Sequence, residues 1–164
     1  MGHWLSRGGI HMQVGHVPLA LSIATYDWNL KTVVLCLGMH FLPNFDSLVE
    51  RSGIGGQGFH CTVTHTTWFA VVVSFLVAIW SPNYGIFTFV AIMSHFVADI
   101  GSTVGLPLLW PFVKKKYTLA LFEDTGYWGK EMYLGYYRQP MSWVVEIAVT
   151  VFFVYRLFKI NVIG

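Results

Sequence analysis

Six side chains of the donor types that hold a divalent cation stand out by their positions: His16, Asp46, His60, His65, His95 and Asp99. Imidazole nitrogen and carboxylate oxygen are ordinary zinc ligands, and a cation held that way makes water a nucleophile for hydrolysis. Spacing narrows the possibilities. His95 and Asp99 stand four apart, so a helix presents both on one face, where they converge on one ion or pair with each other. His60 and His65 stand five apart, about 140° around a regular helix, so both reach one site only where His60 precedes the helix proper. Asp46 follows the break at Pro43, and His16 stands just ahead of the first apolar segment. Asp46 and Asp99 are the candidates for taking a proton from water, and one or two divalent ions, zinc foremost, are the expected cofactor. A single histidine of this kind normally reads as a hydrogen-bonded core residue. Six such donors make a metal centre only if the surrounding elements bring them together.

Composition limits what those elements are. The 164 residues suffice for one domain. Apolar residues make up 55% and charged ones 11%, less than half the ~25% charged share of soluble domains. Aromatic residues reach 17%, in keeping with the Trp and Tyr belts of bilayer interfaces. A membrane class follows. A net charge of +2 without a basic tail excludes a nucleic-acid partner and leaves membrane lipid as the expected one. Cys36 and Cys61 form no C-x-x-C and no framework, so neither a disulfide scaffold nor a redox pair is expected. Residues 1–11 lack an apolar h-region and read as an extension ahead of Met12, with 12–164 a single membrane-embedded helical domain.

Along the chain, Val17–Tyr26 and Leu30–Leu42 are two short apolar pieces, the second stopped by Pro43. Each falls short of the ~20 residues that cross a bilayer, and the Asp27-Trp28-Asn29 break favours two helices over one span. Residues 44–59 read as a polar loop with glycines at 53, 55, 56 and 58. Gly53, Gly55 and Gly58 spell G-x-G-x-x-G, but no predicted strand precedes them as a dinucleotide fold requires, and the G-K-[ST] of a P-loop is absent from the stretch. Cys61–Trp80 has the length of a span, Ser81–Gly85 is a tight turn, Ile86–Ile100 returns, and GSTVGLPLLWP breaks the helix. Two apolar segments with a short connection form an antiparallel hairpin. The start of its first helix and the end of its second then lie at one membrane face, and His60, His65, His95 and Asp99 all sit there.

Lys114–Lys116 is the densest basic patch, which assigns that face to the cytoplasm by the positive-inside rule; as a clamp on an anionic substrate it is the weaker candidate. Residues 117–141, with Tyr127, Trp128, Tyr133, Tyr136 and Tyr137, suit headgroup depth. Ser142–Phe158 is a last apolar helix, crossing the bilayer or lying in its interface, with Arg156 and Lys159 at its end. The expected fold is all-α, an integral membrane bundle of about four to five helices built round the hairpin. His40 fits a buried helix position and is given no role; Glu146 reads as a paired or snorkelling acid.

The succession GHVPLALSIA, FLPNFDS, HCTVTHTT and SHFVADIGSTVGLPLLWPF resembles the YdjM-type, LexA-regulated, membrane-bound metal-dependent hydrolases of bacteria, archaea and their viruses. Their motifs run approximately G-H, L-P-D-I-D, H-R-G-x-T-H-S and S-H-x-x-x-D-x-x-T-x-x-G-x-x-L-L-W-P. The resemblance extends over residues 14–117 and is most specific in the last motif. It implies a multi-pass protein of the inner membrane holding a divalent metal, with His16, Asp46, His60, His65, His95 and Asp99 at the family's polar positions. Three departures from the pattern bear on the chemistry. Asn44 stands for the first Asp of D-x-D, Cys61 and Thr62 stand for Arg-Gly, and Thr66 stands for Ser with its hydroxyl kept. Gly126 and Glu131 loosely match a further Gly-x-x-x-Glu tract.

Two functions of different class fit. One is a hydrolase that attacks a phosphoester of a lipid or other membrane-associated substrate through a metal-activated water. The other is a non-enzymatic membrane protein whose His/Asp cluster braces the helices.

Overall fold

The computed structural model describes residues 13–53, 61–123, 125 and 130–163. The extension at 1–11 and His60 lie outside them, as do Gly126, Tyr127 and Trp128. The described residues are all-helical, with isolated bridges in place of strands. In order they form α1 (His16–Ala24), α2 (Leu30–Phe41), a 3-10 turn (Leu42–Asn44), α3 (Phe45–Arg51), a second 3-10 turn (Val63–His65), α4 (Thr67–Ala78), α5 (Pro82–Asp99), α6 (Lys130–Tyr137) and α7 (Pro140–Ile163).

The break between α1 and α2 has a local cause. Asn29 accepts the Thr32 backbone N–H at 3.0 Å, and Asp27 accepts the Thr32 hydroxyl at 2.9 Å, so α2 begins afresh behind an N-cap. The two short apolar pieces are therefore two helices. The expected polar loop at 44–59 is corrected in its first half. Pro43 opens the 3-10 turn, where its missing N–H costs nothing, and α3 follows directly with Asp46 in its first turn, at the favourable end of the helix dipole. Leu30–Glu50 thereby becomes a run of 21 residues of bilayer-crossing length and apolarity.

The expected span at Cys61–Trp80 is also corrected. Thr67 gives its N–H to the Leu108 carbonyl at 2.9 Å, and the Thr66 hydroxyl caps Phe69 N–H at 3.2 Å, so the helix cannot start before Thr67. α4 has 12 residues, short of a crossing on its own. The residues ahead of it turn instead, with Cys61 at φ 57°. By contrast the return helix starts earlier than expected. Ser81 accepts the Tyr84 N–H at 3.4 Å with Pro82 at the first helical position, so most of the expected turn is the first turn of α5. The second helix of crossing length is Pro140–Asn161, 22 residues with 11% of its apolar window buried.

The hairpin itself is present. α4 turns Ala70, Ser74 and Ala78 toward α5, and a Cβ on Gly85 would come within 2.5 Å of the Ala78 Cβ and 3.0 Å of the Ser74 carbonyl. Small residues four apart are what lets helices approach closely where lipid supplies no hydrophobic contrast. α5 lies against α1, α2 and α4. Ala91 meets Ile23, Ala24 and Cys36 on one side, and Ile92 and Phe96 meet Ala70, Cys61 and Leu106 on another. Both cysteines are buried thiols. α7 packs along α1, where Glu146 accepts the Gln13 N–H at 2.9 Å and Arg156 reaches Thr25 Oγ1 at 3.0 Å. Glu146 is thus a paired acid, as its sequence setting indicates.

A buried histidine and aspartate cluster

α5 delivers His95 and Asp99 one turn apart on the face turned to the interior, both 0% exposed. Their side chains meet, with His95 Nε2 3.0 Å from Asp99 Oδ2. The 3-10 turn before α4 brings His65 to the same end of the hairpin, its Nε2 3.5 Å from Asp99 Oδ2. From the first turn of α1, His16 Nε2 reaches Asp99 Oδ1 at 3.2 Å. Three imidazole nitrogens thus converge on one carboxylate from three separate segments. His65, His95 and Asp99 lie together at one end of the hairpin, and His16 joins them from outside it.

These spacings test whether the residues fit an ion. Donors around a tetrahedral zinc with bonds of 2.0–2.1 Å lie about 3.3 Å apart, close to the 3.0, 3.2 and 3.5 Å found here. Two of the imidazoles are also anchored by their far nitrogens, as ligating histidines usually are. His65 Nδ1 lies 3.1 Å from Asp46 Oδ2 and His16 Nδ1 2.7 Å from His40 Nε2. His95 Nδ1 has no hydrogen-bond partner among the described residues. His65, His95 and Asp99 offer donor atoms within 4.8 Å of one another and could hold an ion, while His16 falls in a second such group with His40 and His95.

Asp46 enters differently from its place in the sequence pattern. Its Oδ2 accepts the Cys61 N–H at 2.9 Å and the Thr64 hydroxyl at 2.7 Å as well as His65, one imidazole away from Asp99. An ionised carboxylate only accepts, so His65 Nδ1 donates and its Nε2 is the nitrogen turned to Asp99. Burial alone would lower the His65 pKa. The Asp46 and Asp99 carboxylates, one beside each ring nitrogen, help outweigh burial and raise it to about 9.

His40, given no role from sequence, is wholly buried in the cluster. Its Nδ1 lies 2.9 Å from Ser94 Oγ, and His16, His40 and His95 offer donor atoms within 4.8 Å of one another. A signal was available: Thr32, Cys36 and His40 repeat every fourth residue, and all three are 0% exposed. That stripe marks the interior face of α2 and points its last member at the Asp46 end.

Thr66 keeps the hydroxyl that caps α4. Cys61, at the position of the family's Arg, holds a left-handed backbone while donating to Asp46. At Asn44 the backbone carbonyl, not the side chain, accepts the Ser47 hydroxyl at 2.6 Å, a bond that any residue there could make. Lys114 and Lys116 are exposed and line a cavity of about 300 Å³ with Cys61, Thr62, Val63 and Trp110. A second cavity of about 530 Å³ opens beside Asp46 and Thr64.

The described residues are all-helical, include two helices long and apolar enough to cross a membrane, and gather a buried His/Asp cluster that could hold a metal ion. The family model described as YdjM inner membrane protein matches residues 7–162, and the chain belongs to that family. Neither the curated proteins nor the solved structures contain a match to it.

Proposed function

We propose that the protein is a multi-pass inner-membrane hydrolase that uses a divalent cation, zinc by its donor types, to cleave a phosphoester of a lipid or membrane-associated substrate. The observation that carries the metal is the set of 3.0–3.5 Å approaches of His16, His65 and His95 to the Asp99 carboxylate. A cation at this point would balance the Asp99 carboxylate, whose burial is costly without a partner charge. When bound, the ion supplies Lewis acidity and lowers the pKa of a water beside it to about 7.

His16, His65, His95 and Asp99 hold the ion in this proposal, and Asp46 aligns His65 rather than binding the ion itself. Asp99, with two oxygens at the site, is the nearest base. His60 stays a candidate further ligand by its motif position. Membrane embedding is supported by α7, whose Trp143, Val144, Ile147, Val151, Phe152 and Phe158 stay exposed, a band too apolar for water. Lys114 and Lys116 lie near Cys61 and supply the positive charge a phosphoester headgroup needs; the positive-inside rule puts them in the cytoplasm.

One observation favours the alternative of a non-enzymatic, structural metal. His16 is 4% exposed and His65, His95 and Asp99 are 0% exposed, as in closed four-donor sites. Purified protein separates the two. The hydrolase requires about one or two bound zinc ions and metal-dependent turnover of phospholipid or a generic phosphoester. Bound metal without turnover leaves the structural role, and a His65→Ala, Asp99→Ala pair with unchanged metal content would remove the site altogether.

A further inference from the structure

We propose that His40 is a positioning residue for the metal centre, fixing the proton of His16 on Nδ1 so that the Nε2 lone pair faces Asp99. The inference rests on the metal centre proposed above and concerns a residue outside every family motif. It follows from the direction of three hydrogen bonds. The Ser94 hydroxyl has one proton and donates it to the Ala91 carbonyl at 2.7 Å. Its oxygen therefore accepts from His40 Nδ1–H at 2.9 Å. A neutral imidazole protonated on Nδ1 carries its lone pair on Nε2, and that atom lies 2.7 Å from His16 Nδ1. His16 must then donate from Nδ1, which leaves its Nε2, 3.2 Å from Asp99 Oδ1, as a lone pair able to bind an ion.

The chain from Ala91 through Ser94, His40 and His16 thus has a single polarity, ending at the centre. His65 receives the same treatment from Asp46 on the opposite side. Without His40, nothing among these contacts stops His16 from carrying its proton on Nε2, where hydrogen bonding to Asp99 would block the ligand position. A second ion between His16 and His40 is the competing use of the three-histidine group. The 2.7 Å separation argues against it, being a hydrogen-bond length and well under the about 3.3 Å between two nitrogens on one zinc.

The test measures zinc stoichiometry and affinity by chelator competition in the detergent-solubilised full chain. The variants are His40→Leu, His40→Gln, Ser94→Ala and Ser94→Thr. Gln offers an acceptor oxygen near the place of Nε2, and Thr keeps the hydroxyl. Loss of the bond should weaken zinc binding about 10- to 100-fold in His40→Leu, with Ser94→Ala intermediate. His40→Gln and Ser94→Thr should stay near the parent affinity, all at the parent stoichiometry. Equal weakening in Leu and Gln would reduce His40 to packing, and a lost equivalent of zinc would make it a ligand; either overturns the proposal. If His40→Leu does not fold, the Ser94 pair decides, equal affinities again overturning it. A parent protein that binds no zinc sinks the metal centre as well, whereas a zinc-binding parent with indifferent variants sinks only the relay.

Discussion

His65 stands between two carboxylates, Asp46 at 3.1 Å from Nδ1 and Asp99 at 3.5 Å from Nε2. In the metal-free protein this setting favours the doubly protonated ring. Its pKa is raised from 6.5 to about 9, so its contribution to stability is fully present below 6.5 and is lost as pH rises through about 9. An ion must displace the Nε2 proton. Zinc affinity should therefore climb about tenfold per pH unit from near neutrality toward 9, with one proton released per ion at this residue. Chelator competition at a series of pH values, with proton release followed in weak buffer, would reveal it; flat affinity would show that His65 is not displaced. Asp46→Asn tests the other carboxylate. The amide keeps the shape but loses the charge that holds Nδ1–H, so zinc affinity should fall about 10- to 100-fold with stoichiometry unchanged. A lost equivalent of zinc would instead make Asp46 a ligand, as the sequence pattern alone had it.

The hairpin of α4 and α5 depends on one close crossing far along the chain from His95. Gly85 sits where an added Cβ would strike Ala78 and the Ser74 carbonyl. Backbone and a short side chain have little room to yield, so Gly85→Ala should destabilise the fold by about 1–3 kcal/mol, read as a lower unfolding temperature in detergent with zinc stoichiometry intact. An unchanged unfolding temperature would mean the crossing is looser than described. The hairpin was legible in the sequence because it needs only two apolar segments and a breaker. It was enough to unite His65, His95 and Asp99. Less legible was what depends on partners remote in sequence. The shortness of α4 is set by a bond from Thr67 to Leu108, and the burial of Asp46 on α3 is set by Cys61 and Thr64. His40 was passed over because an apolar helix in lipid hides which side faces protein, and only the Thr32-Cys36-His40 spacing records it.

At the scale of the molecule, charge and apolar surface give an orientation. The positive-inside rule predicts Lys114–Lys116 on the cytoplasmic side, and on that proposal a single cysteine introduced by Lys115→Cys should label only from that side in sealed vesicles. The native cysteines are buried, so the signal belongs to the new thiol. Labelling only from the outer side would invert the topology. The centre itself joins parts of the chain that share no local contact: His16 opens α1, His65 precedes α4, and His95 and Asp99 close α5. An ion that binds this arrangement and not the unfolded chain stabilises the whole fold by mass action, about 4 kcal/mol when free ion stands near 1,000 times Kd. For a chain of this length each kcal/mol moves the unfolding temperature about 2–4 °C, so chelation should lower it by about 8–16 °C. Returning zinc should restore it. Asp99→Ala removes the carboxylate on which the three imidazoles converge and should show no such chelator response. An equal response in that variant would place the stabilising ion elsewhere in the protein, and a parent protein indifferent to chelation would leave the His/Asp cluster as hydrogen bonding alone.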